Sequence, residues 1–219
     1  MSLRVRDKAL LDCIEYMKKM HEGQIRRVTN APYYIHPLTV LGFMEEAPFF
    51  FALRDKQAAL LHDLQEDSPL FSWDEVASKF GLYVAGAVAM LSKTKLGTGS
   101  PAVYFAMLQH ASPNLIAIKL MDRLANTSDY DIIKDIAWLK KYLDETIQLV
   151  LPLTQIMVAR GSTLSRQGYY ELGCWIDSRL QDNLHGMQTR IRELKGEPFI
   201  TTDLTVEGNF QEGPVSIKP

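Results

Sequence analysis

Apolar residues return every three or four positions along most of this chain, the period of an α-helix with one buried face. Residues Ala9 to His21 put Leu10, Ile14, Met17 and Met20 on such a face. Leu38 to Met44 continue a second helix opened by Pro37, because proline suits a first helical turn. Gln57 to Glu66 reads as one buried helix. Ser72 stands three residues before Glu75, a reciprocal cap that predicts a helix from Trp73 to about Phe80, ended by Gly81. Leu82 to Ser92 form the next. The Gly97-Thr98-Gly99-Ser100 stretch reads as a loop, after which Ser100-Pro101 caps a helix to about Ala111. Ser112-Pro113 opens another, Asn114 to about Asn126, with Leu115, Ile118, Met121 and Leu124 as its inner stripe.

A long helical pattern then runs from Ile136 to Ala159. It is kinked or split at Pro152, which lacks an N–H and crowds the preceding turn, and closed by Gly161-Ser162. Ser165 to Lys195 carries one more helix, in which Trp175, Ile176, Leu180, Leu184, Met187 and Ile191 recur at helical spacing. Its apolar face requires a cover, supplied by the rest of the chain or by a second copy in a homo-oligomer. There is no βαβ alternation and no internal repeat. The expectation is an all-α fold: a helical bundle over residues 1–160, a C-terminal helical extension over 161–195, and an irregular tail over 196–219.

Composition narrows the picture a little. In 219 residues, 47% hydrophobic content is ample for a sizeable core and 23% charged content is ordinary for a globular protein. A net charge of −2 argues against a general nucleic-acid binder, while leaving an anionic small molecule open as substrate. The two cysteines, Cys13 and Cys174, lack metal-ligand spacing and read as reduced thiols of a cytoplasmic protein. No apolar run reaches membrane-spanning length, and the first residues lack the apolar core of a signal peptide, so no membrane partner is expected.

Four short stretches carry the chemistry. They are His36 before Pro37, the doublet His62-Asp63 inside an apolar run, the doublet Glu66-Asp67, and Asp122 in Lys119-Leu120-Met121-Asp122-Arg123-Leu124. Side chains this polar are costly to bury unless they pair or bind a metal. Residues four apart on a helix share a face, which would stack His62 beneath Glu66 and Asp63 beneath Asp67. His36 and Asp122 can complete a His/His/Asp/Asp ligand set. Such donors suit a borderline or hard divalent ion such as Mn²⁺, with Zn²⁺ and Fe²⁺ left open. A bound ion would lower the pKa of its water from ~15.7 toward ~7.

The order His…His-Asp…Asp resembles the HD-domain phosphohydrolases. The flanking residues are similar to one branch of them, the alarmone pyrophosphohydrolase domain of the Rel/SpoT group and the small stand-alone hydrolases of the metazoan SpoT-homologue type. The matching stretches are His21-Glu22-Gly23-Gln24-Ile25-Arg26-Arg27, Pro32-Tyr33-Tyr34-Ile35-His36-Pro37-Leu38, Ala59-Leu60-Leu61-His62-Asp63-Leu64-Gln65-Glu66-Asp67-Ser68 and Lys119-Leu120-Met121-Asp122-Arg123-Leu124-Ala125-Asn126. The resemblance covers about residues 5–158. It implies an HD-domain helical bundle in which His36, His62, Asp63 and Asp122 hold Mn²⁺ and Glu66 and Asp67 position the attacking water. Arg26 would stack on guanine, Arg27 would meet phosphate or acidic groups, and Lys119 and Asn126 would contact the nucleotide. The implied reaction removes the 3′-pyrophosphate of ppGpp or pppGpp. The chain departs from the family at Ala125, at Ser128 and at Phe105-Ala106, where longer members carry a basic pair. These departures keep open an HD hydrolase acting on ppApp or NADPH, or a nucleotide sensor without turnover. His21, His110 and His185 read as structural or surface residues.

Overall fold

Over residues 3–93, 100–163 and 167–197, which the computed structural model describes, the helical period becomes helix upon helix. These are α1 (Leu3–Met20), α2 (Ile35–Glu46), α3 (Leu53–Leu61), α4 (Leu64–Asp67), α5 (Trp73–Phe80), α6 (Leu82–Leu91), α7 (Pro101–Leu108), α8 (Pro113–Thr127), α9 (Ile136–Glu145), α10 (Leu151–Thr163) and α11 (Gln167–Lys195). Among the described residues the only bridge pairs Ile25 with Pro32, closing the turn between α1 and α2. The fold is all-α.

Several helix starts follow from their capping residues. The Ser72 hydroxyl accepts from the Glu75 N–H, Ser112 from Leu115, and the Asp135 carboxylate from Ala137 and Trp138, satisfying donors that a first turn leaves unpaired. Ser100 differs from expectation, since its side chain caps nothing. Pro101 begins α7 and has no N–H to satisfy. The expected glycine loop at 97–99 lies outside the described residues.

Helix α8 is the axis of the molecule. Of its residues, only Pro113, Asn114 and Asn126 escape full burial, because α2, α3, α10 and α11 all pack on it. Its apolar side chains join Val40 and Met44 of α2, Leu153 and Met157 of α10, and Leu172 and Ile176 of α11 in the main core. A second core joins Met17 of α1, Leu60 and Leu61 of α3, Val76 of α5 and Val84 of α6. Between these cores the N-terminus of α2, the end of α3 and the middle of α8 come together.

Three expectations are corrected here. Gln57 to Glu66 is not one helix: α3 ends at Leu61 and α4 restarts at Leu64, with Asp63 at φ −94°, ψ −7°. The split at Pro152 is an expanded turn over Thr146–Val150, where the Leu151 N–H reaches back to the Thr146 carbonyl. That added residue places Pro152 in the first turn of α10, where its missing N–H costs little. Gly161-Ser162 does not close α10, which runs on to Thr163. Gly161 instead lets α11 approach, since a Cβ there would lie 2.4 Å from the Tyr170 backbone nitrogen.

The apolar face of α11 is covered within the chain. Ile176, Leu180, Leu184, Met187 and Ile191 are buried against α8, α9 and α10, and the Tyr130 ring fills a notch left by Gly186. The tail beyond Glu197 lies outside the described residues.

Candidate metal centre and its cleft

The break between α3 and α4 turns two consecutive side chains toward one point. Asp63 O accepts from both Glu66 N and Asp67 N, which opens the first turn of α4 there. Opposite, α2 supplies His36 from its first turn and α8 supplies Asp122. His36 Nε2 lies 3.0 Å from Asp122 Oδ1 and 3.4 Å from Asp63 Oδ2. His62 Nε2 lies 3.1 Å from Asp63 Oδ2 and 3.5 Å from Asp122 Oδ1. One donor atom from each of the four residues falls within 4.8 Å of all the others.

This set fits a divalent ion on its own geometry. Donors held about 2.1 Å from one ion, at angles between a right angle and tetrahedral, stand about 3.0–3.4 Å apart. Three of the four contacts fall within that spacing, and the fourth, at 3.5 Å, lies just beyond it. His62 Nδ1 is 2.7 Å from the Ala59 carbonyl oxygen, which can only accept, so Nδ1 carries the proton and the lone pair is on Nε2. That Nε2 is buried without a hydrogen bond. Without an ion, burial disfavours a charged His62, but Asp63 and Asp122 overcome it and raise the pKa to about 10. The two carboxyls are held well below their usual range, against their own desolvation, chiefly by His62 for Asp63 and by Lys119 for Asp122.

Asp122 is oriented by neighbours on its own helix. Lys119 Nζ donates to Oδ2 at 2.6 Å and Asn126 Nδ2 to Oδ1 at 2.6 Å. Lys119 is buried beside the Tyr104 ring, so its ammonium faces the ligand carboxylate and does not line the cleft.

The acidic pair diverges from the turn. Glu66 Oε1 accepts from the Lys93 backbone N–H at 2.5 Å, and burial pushes its carboxyl upward. Asp67 Oδ2 accepts from the Tyr33 hydroxyl at 2.7 Å, and the same hydroxyl stands 2.7 Å from Asp63 Oδ2. One phenolic proton therefore serves two carboxylates, and burial together with their charge pushes Tyr33 ionisation far upward. The Tyr33 ring packs on His21, which is buried and paired with Gln24, whose amide holds the Asp67 carbonyl. Tyr33 was not among the expected site residues, although it stands in the stretch that contains His36.

A cleft of about 610 Å³ opens beside Asp67 and Tyr33, walled by Arg26, Asn126, Trp138 and Tyr142. Arg26 Nη2 donates to Asn126 Oδ1 at 3.3 Å and Nη1 lies 3.7 Å from Asp129 Oδ2, so the guanidinium is tied through Asn126 to the ligand Asp122. Arg27 lies exposed on the outer wall. Trp138 and Tyr142, stacked with ring centroids 4.0 Å apart, were also missed. Their spacing of four on α9 is the signal that could have found them. Ala125 and Phe105 are buried core residues and do not line this cleft.

No family model matches the chain. Among curated proteins, a guanosine-3′,5′-bis(diphosphate) 3′-pyrophosphohydrolase of Aquifex aeolicus is 31% identical over 150 residues, 64% of this chain and 20% of that protein. The human guanosine-3′,5′-bis(diphosphate) 3′-pyrophosphohydrolase MESH1 is 28% identical over 148 residues, 64% of this chain and 82% of that protein. The chain thus spans a fifth of the bacterial relative and most of the human one. Among solved structures, a metazoan SpoT orthologue described as hydrolysing ppGpp superposes with a TM-score of 0.62 at 20% identity, covering 81% of this chain and 94% of its own. The chain has the fold of that HD-type structure and is similar in sequence to the stand-alone and bacterial hydrolases of this group. No helix among the described residues is long and apolar enough to cross a membrane.

Proposed function

We propose that this chain removes the 3′-pyrophosphate of the guanosine alarmones ppGpp and pppGpp, releasing pyrophosphate with GDP or GTP. The observation that carries the reading is the four-donor cluster of His36, His62, Asp63 and Asp122, joined by hydrogen bonds to Tyr33 and Asn126, which line a cleft with a near-buried arginine. The names of the relatives support the same substrate class. The donor set favours Mn²⁺ as the resident ion, with other divalent metals as alternatives. When bound, the ion supplies charge neutralisation at the diphosphate and acidifies a water molecule.

The chain's own residues do the rest. Glu66 and Asp67 flank the ligands and hold the attacking water, and burial raises the Glu66 carboxyl, the direction that favours a proton acceptor. Arg26, held by Asn126 and Asp129, presents a planar cation to the base. Arg27 meets phosphate at the cleft mouth. Lys119 acts through Asp122 by fixing which carboxylate oxygen faces the histidines. The two free cysteines support a cytoplasmic setting, where these nucleotides serve the stringent response.

A second reading, hydrolysis of an adenosine alarmone or NADPH, is favoured by the stacking groups Arg26, Trp138 and Tyr142 that wall the cleft, since stacking alone does not separate guanine from adenine. Metal-stripped protein reloaded with Mn²⁺, Zn²⁺, Fe²⁺ or Mg²⁺ and given ppGpp, pppGpp, ppApp or NADPH distinguishes them by product identification. Mn²⁺-dependent GDP and pyrophosphate from ppGpp is the expected result. Undiminished turnover in excess chelator, or cleavage of none of these nucleotides, would overturn the reading.

A further inference from the structure

Beyond the outer wall of the cleft lies a second cavity of about 490 Å³, and the two share Arg27, Val28 and Trp138. The two cavities adjoin across that shared wall, the inner one lined also by Asp67 and Tyr33 and the outer one by Ile132, Ile133 and Lys134. The outer lining carries two cations, Arg27 and Lys134, against one carboxylate, Asp135. Among the described residues neither Arg27 nor Lys134 enters an ion pair, and both are exposed. The one carboxylate in the outer part, Asp135, is engaged in capping α9 through the Ala137 and Trp138 N–H groups. Two free cations therefore face a concave surface whose floor is apolar and whose divide is the edge of a stacked tryptophan.

A nucleoside that carries its scissile diphosphate on the 3′ oxygen and further phosphates on the 5′ oxygen presents these groups on opposite sides of the ribose. With the 3′ group at the metal ligands and the base beside Arg26, the 5′ chain leaves away from the metal. The outer cavity adjoins the cleft on the far side of Arg27 and Trp138. We propose that the outer groove binds the 5′-phosphate chain of the substrate, and that Lys134, with Arg27, makes the site count 5′ phosphates. This rests on the hydrolase reading for its substrate, and it makes the 5′-triphosphate nucleotide the preferred one. Lys134 contributes to binding alone, since it stands at the far end from the ligands.

The test is a ladder of nucleotides. Hydrolysis of guanosine 3′-diphosphates carrying one, two or three 5′ phosphates is followed in the Mn²⁺-loaded wild type and in Lys134→Ala and Lys134→Glu. Binding of GMP, GDP and GTP is measured in parallel by calorimetry. In the wild type KM and Kd fall about two- to fivefold with each phosphate, the size of an exposed ion pair, at constant kcat. Lys134→Ala flattens the ladder and Lys134→Glu flattens or reverses it, with kcat and melting temperature unchanged. Turnover with no dependence on 5′-phosphate number overturns the groove and leaves the hydrolase reading standing. So does a ladder that both Lys134 variants leave intact. A graded ladder in product binding without any turnover overturns the hydrolase reading and supports the groove.

Discussion

The Tyr33 hydroxyl lies 2.7 Å from Asp67 Oδ2 and equally near Asp63 Oδ2, joining a carboxylate of the candidate metal cluster to one of the acidic pair through a single proton. An ion held by Asp63 would weaken it as an acceptor and leave the proton to Asp67, which would make Tyr33 a positioning residue for Asp67. Tyr33→Phe keeps the ring packing on His21 and removes only the O–H. It is expected to retain metal and KM and to lower kcat at least roughly tenfold, the effect of one hydrogen bond to a charged group. Steady-state kinetics with metal analysis checks this, and an unchanged kcat would dismiss the positioning role.

The acidic pair separates chemistry from metal binding. Glu66→Gln with Asp67→Asn preserves side-chain shape and leaves His36, His62, Asp63 and Asp122 untouched. Metal content should stay at the wild-type level while the rate falls by ~10²–10⁴, the usual size of an acid–base contribution. Loss of the metal in this double variant would place one of the two residues among the ligands.

The metal-free protein has a predictable pH dependence. His62 is raised from 6.5 to about 10, so its stabilising contribution is whole below 6.5 and is lost as pH rises toward 10. Asp63 and Asp122 are lowered from 3.8, so theirs is present above that value and is lost as pH falls below it. With chelator present, this cluster contributes most between pH 4 and 6.5, and the melting temperature should fall from pH 6 to pH 9.5. Mn²⁺ should raise it most at the alkaline end, because metal ligation needs a neutral imidazole. Melting curves at three pH values, with and without the ion, decide it. A chelated protein that melts higher at pH 9.5 than at pH 6 would contradict the assignment.

Gly161 gives a test of the packing. Within a helix, Gly→Ala ordinarily stabilises by about 1 kcal/mol. Here the added Cβ would meet the Tyr170 backbone, which cannot turn aside. Gly161→Ala is expected to destabilise by ~1–3 kcal/mol, as overpacking does, with kcat of the surviving fold unchanged. Chemical denaturation measures the sign directly, and stabilisation would mean that α10 and α11 sit farther apart.

Much of this protein was legible in its sequence because its helices are amphipathic or wholly buried, and burial imposes period on the residues. The caps at Ser72 and Ser112 are local, satisfied within three residues, and were readable for that reason. So was the apolar stripe of α11, though not which surface covers it. The candidate ligands stood out because two histidines and two aspartates in apolar surroundings need a partner. Tertiary structure decided what depends on distant contacts. The break at His62-Asp63 cannot be told from a continuous helix by periodicity, since both place the same apolar side chains inward. Lys119, read as a substrate contact, turns inward because Asp122 lies three residues on and the core around them offers no water to either charge. Tyr33 gains its place only when the segment before α2 folds over α4, and Trp138 joins Arg27 in lining one cavity only when α9 docks beside α1's exit loop. Periodicity records which face of an element is buried. It carries no record of what lies against that face.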